Sequence, residues 1–280
     1  MTRSYGLDRR AYLKTVGVAG TTAAVAGCTG NGNGGSGEGG VEVAFTIETG
    51  EEYGLGLRED AGDVQTAVNE GLSAVEEDGT YDALIEEYFG SGDDAGDVTE
   101  GADGGTGAGT VVAGTASGFA PFEFNEGGEL VGFDVELTEA VLARTDYEFG
   151  GFETFEFDSL IPALQDGNID LIAAAMTITD DRDEQIDFSD PYYEANQAVL
   201  VASGGDFEPE GREDFEGQVV GAQSGTTGEG QVDMLVEDSI ISEDDKRVYG
   251  NYELAVNDLE SGNIDAVIID VPVAENFAQR

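Results

Sequence analysis

The chain has 280 residues, with 60 acidic side chains against 11 Lys and Arg, a formal net charge of -49. Charge of that size repels nucleic acid and anionic membrane surfaces, so neither is expected as a partner. Without histidine, and with Cys28 as the one cysteine, the sequence offers no His-dependent triad, imidazole zinc site, thiolate cluster or disulfide framework. No metal or cofactor is expected. A hydrophobic fraction of 40% with 9% aromatics separates it from acidic disordered chains. Molar salt shortens the screening length to about 3 Å, so this acidity points to a halophilic setting.

Residues 1–27 carry Arg9-Arg10 ahead of a short Ala/Gly-rich apolar run, Val16 to Gly27. That run is too short and mild for a transmembrane helix and reads as a twin-arginine export signal. It ends in Val25-Ala26-Gly27-Cys28, which resembles a lipoprotein cleavage box, with Cys28 as the lipidated residue. Residues 28–40 are a Gly-rich flexible tether, and residues 90–109, Gly/Asp-rich, are an internal flexible linker.

The block before that linker predicts strands over Val41–Ile47 and Tyr53–Arg58 and helices over Asp63–Glu77 and Tyr81–Phe89. Val64, Ala67, Val68, Leu72 and Val75 form one apolar helical face. A block this small is marginal alone and must pack on the rest. After the linker, strands over 110–115, 169–175, 198–202, 219–222 and 264–269, with a short one at Val248, alternate with helices. The helices are expected over 133–144, 160–165, 228–237, 253–261 and 273–280. That alternation predicts an α/β fold with parallel strands.

Six phrases follow in order: GTASGFAPFEF (114–124), LVGFDVEL (130–137), FDSLIPALQDGNID (157–170), MTITDDRDEQIDFSDPYY (176–193), VVGAQSGTTGE (219–229) and LESGNIDAVIIDVPVA (259–274). Together they resemble the polar amino-acid-binding family of extracellular solute-binding proteins of ABC transporters. EEYGLGLRED with VNEGLSAVEEDGTYDALIEEYFG resembles the segment that ends such proteins, yet here it comes first. The resemblance therefore implies a circularly permuted two-lobe α/β binding-protein fold with two hinge strands. Lobe 2 is expected at 41–50 and 203–280, lobe 1 at 52–89 and 110–197, with hinges near Ala198–Val201 and Glu51–Gly54. A truncated tandem repeat, or a fragment exchanged between two molecules, gives the same order of segments.

The resemblance also implies the ligand contacts. Arg182 would take the carboxylate of a free amino acid, a bidentate geometry that suits guanidinium; otherwise it is a surface arginine among acidic neighbours. Thr177 and the backbone at Ala175 would bracket the ligand. Thr226 and Thr227 in SGTTG open a helix whose N-terminus attracts an anion, or simply cap it. Asp270 would take the ammonium, or act as a helix N-cap before Pro272. Phe119 and Phe157 would sandwich the side chain. Ala116 stands where many relatives have Asp, which counts against a Lys or Arg ligand; Ser117 would partly substitute. The implied function is a lipid-anchored, monomeric binding component, no enzyme, that delivers its ligand to an ABC permease at the extracellular face. A prephenate/arogenate (cyclohexadienyl) dehydratase-like enzyme is the alternative, needing a cleft acid of raised pKa that the sequence does not single out. A sensory ligand-binding module is another, and it would need a membrane-spanning partner.

Overall fold

A computed structural model describes residues 40–90 and 107–280. The export signal, Cys28, residues 28–39 of the tether and most of the expected linker lie outside the described residues. The described residues form one compact unit built around two five-stranded sheets.

The first sheet has the order β1(Val41–Tyr53), β9(Tyr193–Ala202), β12(Ala266–Asp270), β10(Val220–Gln223), β11(Lys246–Tyr249). β1 and β12 flank β9 antiparallel, whereas β10 runs parallel to both β12 and β11. The second sheet has the order β6(Glu148–Thr154), β3(Thr110–Thr115), β7(Leu171–Ile172), β2(Gly56–Leu57), β8(Asp187–Phe188). Its β3 is parallel to β6 and β7, while β2 is antiparallel to β7 and β8. A small hairpin, β4(Phe124–Glu126) and β5(Glu129–Val131), completes the strands. The parallel pairs and their intervening helices give the expected α/β class.

Two segments cross between the sheets. β1 lies in the first sheet, ends at Tyr53 opposite Tyr193, and passes through Gly54 and Leu55 into β2 of the second. The chain returns through β8 and residues 189–192 into β9. The expected hinge at Ala198–Val201 is corrected, because those residues pair with β12 and β1 inside the first sheet. The crossing lies just upstream of β9.

Both strands expected before the linker are present with shifted bounds: the first runs on to Tyr53, and the second shortens to β2. β1 continues past Ile47 across an irregularity between Ile47 and Glu51, where Gly50 takes φ +63°. Asn196 Oδ1 accepts the N–H groups of Thr49 at 2.9 Å and Gly50 at 2.8 Å, which keeps the bulge attached to β9. The strand expected over 169–175 shrinks to β7, and beyond its end Ala175 turns to φ +44°. β6 carries Gly150-Gly151, a poor strand signal, and sequence reading missed it along with β4, β5 and β8.

The helices α1(Gly62–Glu77) and α2(Thr80–Phe89) pack against α3(Phe133–Leu142). α1 buries Val68, Gly71, Leu72 and Val75. A Cβ on Gly71 would stand 2.7 Å from the Val141 carbonyl oxygen, so glycine sets the closeness of the helices. α4(Leu160–Gln165) and α5(Asp180–Asp183) belong to the second sheet's half; α6(Thr227–Glu237), α7(Tyr252–Glu260) and α8(Val271–Ala278) to the first's. α8 packs on β1 and β9. One apolar core contains Leu72, Val75, Leu84, Phe133 and Leu137 together with Leu200, Val267 and Phe277. Residues 40–90 thus share their core with the long block. Among the described residues, no helix is long and apolar enough to cross a membrane.

Candidate ligand cleft

Between the two sheets lies a narrow cleft whose empty volume, open solvent included, is about 320 Å³. Its lining includes Phe119, Glu123, Phe157, Arg182 and Asp270, with Ala116, Ala175, Thr177, Thr226 and Thr227. Eight of the nine residues expected in the site are therefore brought together. Ser117 is the exception, and Ala116 lines the cleft in its place. A larger, shallower groove on α1, around Asn69, Glu70 and Ser73, has no buried charge and no aromatic surface.

Arg182 sits in α5, capped by Thr179, whose Oγ1 accepts the Arg182 N–H at 3.3 Å. Only 8% of Arg182 is exposed, so the surface-arginine alternative is set aside. Nη1 donates to the Thr177 carbonyl at 2.7 Å and Nη2 to the Gly225 carbonyl at 2.9 Å, which links the two halves. Its guanidinium lies 5.3 Å from the Phe157 ring centroid. Two of five N–H donors are engaged this way. Burial pulls the Arg182 pKa down, while the charges of Glu51 and Asp270 oppose that shift.

Asp270 ends β12 at the N-cap position of α8, yet its side chain makes no capping bond. Its Oδ1 instead accepts from Tyr53 Oη at 2.6 Å and from Gln197 Nε2 at 2.9 Å. Burial first, then the charge of Glu51, pushes the Asp270 pKa up to about 7, against the Tyr53 hydrogen bond and Arg182.

The threonines divide. Thr226 caps α6: its Oγ1 donates to the Gln223 carbonyl at 2.8 Å, accepts the Glu229 N–H at 3.2 Å, and meets Tyr252 Oη at 3.1 Å. That hydroxyl is occupied by capping. Thr177 and Thr227 both donate to one oxygen of Glu51, each at 2.8 Å. The first N–H groups of α6 have no intrahelical acceptors and suit an anion. At Ala175, the N–H is already committed to Asp134 Oδ2 at 2.6 Å. Also across the cleft, Ser224 Oγ donates to Asp158 Oδ2 at 2.9 Å, and the Phe119 ring lies against that of Tyr252 with centroids 5.6 Å apart.

Sequence reading missed Glu123. A tight loop holds it beside Phe119, with the Glu123 carbonyl accepting from Gly118 N–H at 3.0 Å and Phe119 N–H at 2.9 Å. Its carboxyl is 1% exposed, and Oε2 has no protein partner. Burial, with the charges of Asp134 and Asp270, raises its pKa well above the usual carboxylate range. Glu123 is thus a cleft acid of raised pKa of the kind that the sequence does not single out. The only available signal was an acidic residue inside an otherwise apolar phrase, APFEF. Behind it, Asp134 is fully buried and also accepts from Tyr192 Oη at 2.6 Å; burial lifts its pKa to about 7.

Residues 111–267 match the family model of bacterial extracellular solute-binding proteins, family 3. The chain belongs to that family. Among its members, a probable histidine-binding protein of Campylobacter jejuni is 35% identical over 168 residues, 60% of this chain and 62% of that protein. The arginine-binding extracellular protein ArtP of Bacillus subtilis is 36% identical, covering 60% and 63%. The chain thus spans about three fifths of the length of these curated family 3 relatives. A solved structure of an ancestral arginine-binding protein bound to arginine is 40% identical with TM-score 0.57, covering 61% of this chain and 74% of that one. The ancestral amino-acid-binding protein AncCDT-1, described as a precursor of cyclohexadienyl dehydratase, is 31% identical with TM-score 0.53, covering 61% and 74%. These likenesses support the two-lobe α/β binding-protein fold. Among the described residues, no cluster of His, Cys, Asp or Glu has a metal-holding arrangement.

Proposed function

We propose that this chain is the substrate-binding component of an ABC importer, closing two lobes on one free amino acid. The observation that carries the reading is the pairing of opposite, buried charges across one cleft: Arg182 on one half and Asp270 on the other. Arg182 and the N-terminus of α6 take the ligand carboxylate, and Asp270 takes its ammonium. The side chain lies between Phe119 and Phe157 with its far end toward Glu123.

Charge balance narrows the ligand. Arg182 is set against Asp270 and Glu51, while the Glu123 carboxyl, held toward its neutral form by burial, lacks the counter-charge that a cationic side chain would supply. A cationic side chain meets Glu123, which takes the part of the Asp that many relatives have where Ala116 stands. The names of the relatives, for histidine and arginine binding, agree with this assignment.

Export by the twin-arginine signal, lipid attachment at Cys28 and residence at the extracellular face follow from the same reading, with a permease as partner and a monomer as working form. Circular permutation accounts for the order of parts. The family model matches residues 111–267, while β1, β2, α1 and α2 complete both sheets and the shared core from the chain's other side. No catalysis is assigned. Glu123 keeps the dehydratase alternative specific, since a cleft acid of raised pKa is what dehydration would require.

Calorimetric titration of the twenty amino acids in molar KCl tests the proposal, alongside an assay for prephenate loss. Tight binding of a cationic amino acid without turnover is expected. Turnover of prephenate with no amino-acid binding would refute it.

A further inference from the structure

Glu51 is not among the residues that the family resemblance marks for the ligand, yet it sits where the two halves meet. It lies on β1 just before the crossing into the second sheet. One of its oxygens, Oε2, accepts from Thr177 Oγ1 and from Thr227 Oγ1, both at 2.8 Å. Thr177 lies in the chain between β7 and β8 of the second sheet and bridges Tyr53 at the end of β1, and Thr227 opens α6 in the first sheet's half. Gln197 braces the group: its Nε2 lies 3.4 Å from Glu51 Oε2, 3.2 Å from Thr227 Oγ1 and 2.9 Å from Asp270 Oδ1.

A hydroxyl has one proton to donate. With that proton committed to Glu51, each threonine offers the cleft only lone pairs. Lone pairs repel a carboxylate and accept from an ammonium. Both threonines line the cleft that Asp270 also lines. The hydroxyls therefore belong with Asp270 rather than with Arg182.

We propose that Glu51 is a positioning residue that fixes Thr177 and Thr227 as hydrogen-bond acceptors, so that the cleft selects ligands bearing an α-ammonium group. This rests on the amino-acid reading of the cleft and adds the orientation of the ligand and its basis of discrimination. Without an acceptor at position 51, either hydroxyl can turn its proton toward the cleft, and a ligand lacking the ammonium loses its disadvantage. An amide oxygen at that position can still accept both hydroxyls.

The test uses the protein in molar KCl, titrated with L-arginine, L-lysine and L-histidine. Each is compared with its des-amino analogue: δ-guanidinovalerate, ε-aminocaproate and imidazolepropionate. Wild type is expected to bind at least one amino acid far more tightly than its analogue. Glu51→Ala should shrink that ratio by about tenfold or more, as an ammonium loses oriented acceptors. The analogue itself should bind within about threefold of wild type, and Glu51→Gln should keep most of the ratio. Should Glu51→Ala fail to fold, Thr227→Val, which removes one acceptor directly, is expected to shrink the ratio in the same direction. An unchanged ratio, or equal weakening of both ligands in Glu51→Ala, overturns the proposal. Loss of the ratio in Glu51→Gln does so too, since it would make the charge the active feature. Failure of wild type to bind any of the three amino acids overturns the amino-acid reading itself, before any variant is compared.

Discussion

Binding should weaken sharply below neutral pH. An ammonium group needs Asp270 as a carboxylate, but in the ligand-free cleft burial and the neighbouring Glu51 hold its pKa at about 7. The other groups facing it are Arg182, Tyr53 and Tyr252, which stay in their ordinary protonation states through the neutral range. Below pH 7 the empty protein carries a proton that the ligand must displace. Affinity should then fall about tenfold per pH unit, reaching about 100-fold, or roughly 2.7 kcal/mol, near pH 5. Glu123 is raised in the same direction, so a cationic side chain steepens the fall toward two protons per ligand. Titration calorimetry in molar KCl checks this, repeated in buffers of different ionisation enthalpy to count protons released. A dissociation constant unchanged between about pH 8 and pH 5, with no proton release, would refute the reasoning. Asp270→Asn should remove the Asp270 part of the slope and bind weakly at every pH.

Three other outcomes are expected. Arg182→Ala should weaken binding by about 2–5 kcal/mol, because the ligand carboxylate and two backbone carbonyls lose one charged donor; calorimetric binding within twofold of wild type would remove Arg182 from the site. Gly71→Ala should destabilise by about 1–3 kcal/mol in denaturant titration, since the new methyl meets Val141 at 2.7 Å and overpacking exceeds the helix-propensity gain. Ligand-free stability should respond to Asp134, whose folded pKa of about 7 lies above its unfolded value. Its contribution is fully present below about pH 4 and is lost as pH rises through 7, so the melting temperature of Asp134→Asn should depend less on pH across that window.

The sequence by itself carried the α/β class, because buried strands such as Ala266–Asp270 are continuous apolar runs and α1 repeats its apolar face at helical spacing. Through the resemblance of its phrases to the solute-binding family it also marked most of the cleft lining, Arg182, Thr226 and Asp270 among it. What it could not carry was contact between distant segments. β1 is one strand because Asn196 holds its bulge, 146 positions away from Gly50, and the crossing lies upstream of Ala198 because β12 claims that stretch. Glu51 acquires its partners only when Thr177 and Thr227 come from opposite halves to the same oxygen. Glu123 looks like any of the 60 acidic residues until the Phe119 loop buries it. Periodicity and capping are local and can be read along the chain. Burial, desolvation and the direction in which a hydroxyl donates depend on what the fold brings alongside, and tertiary structure alone decided them.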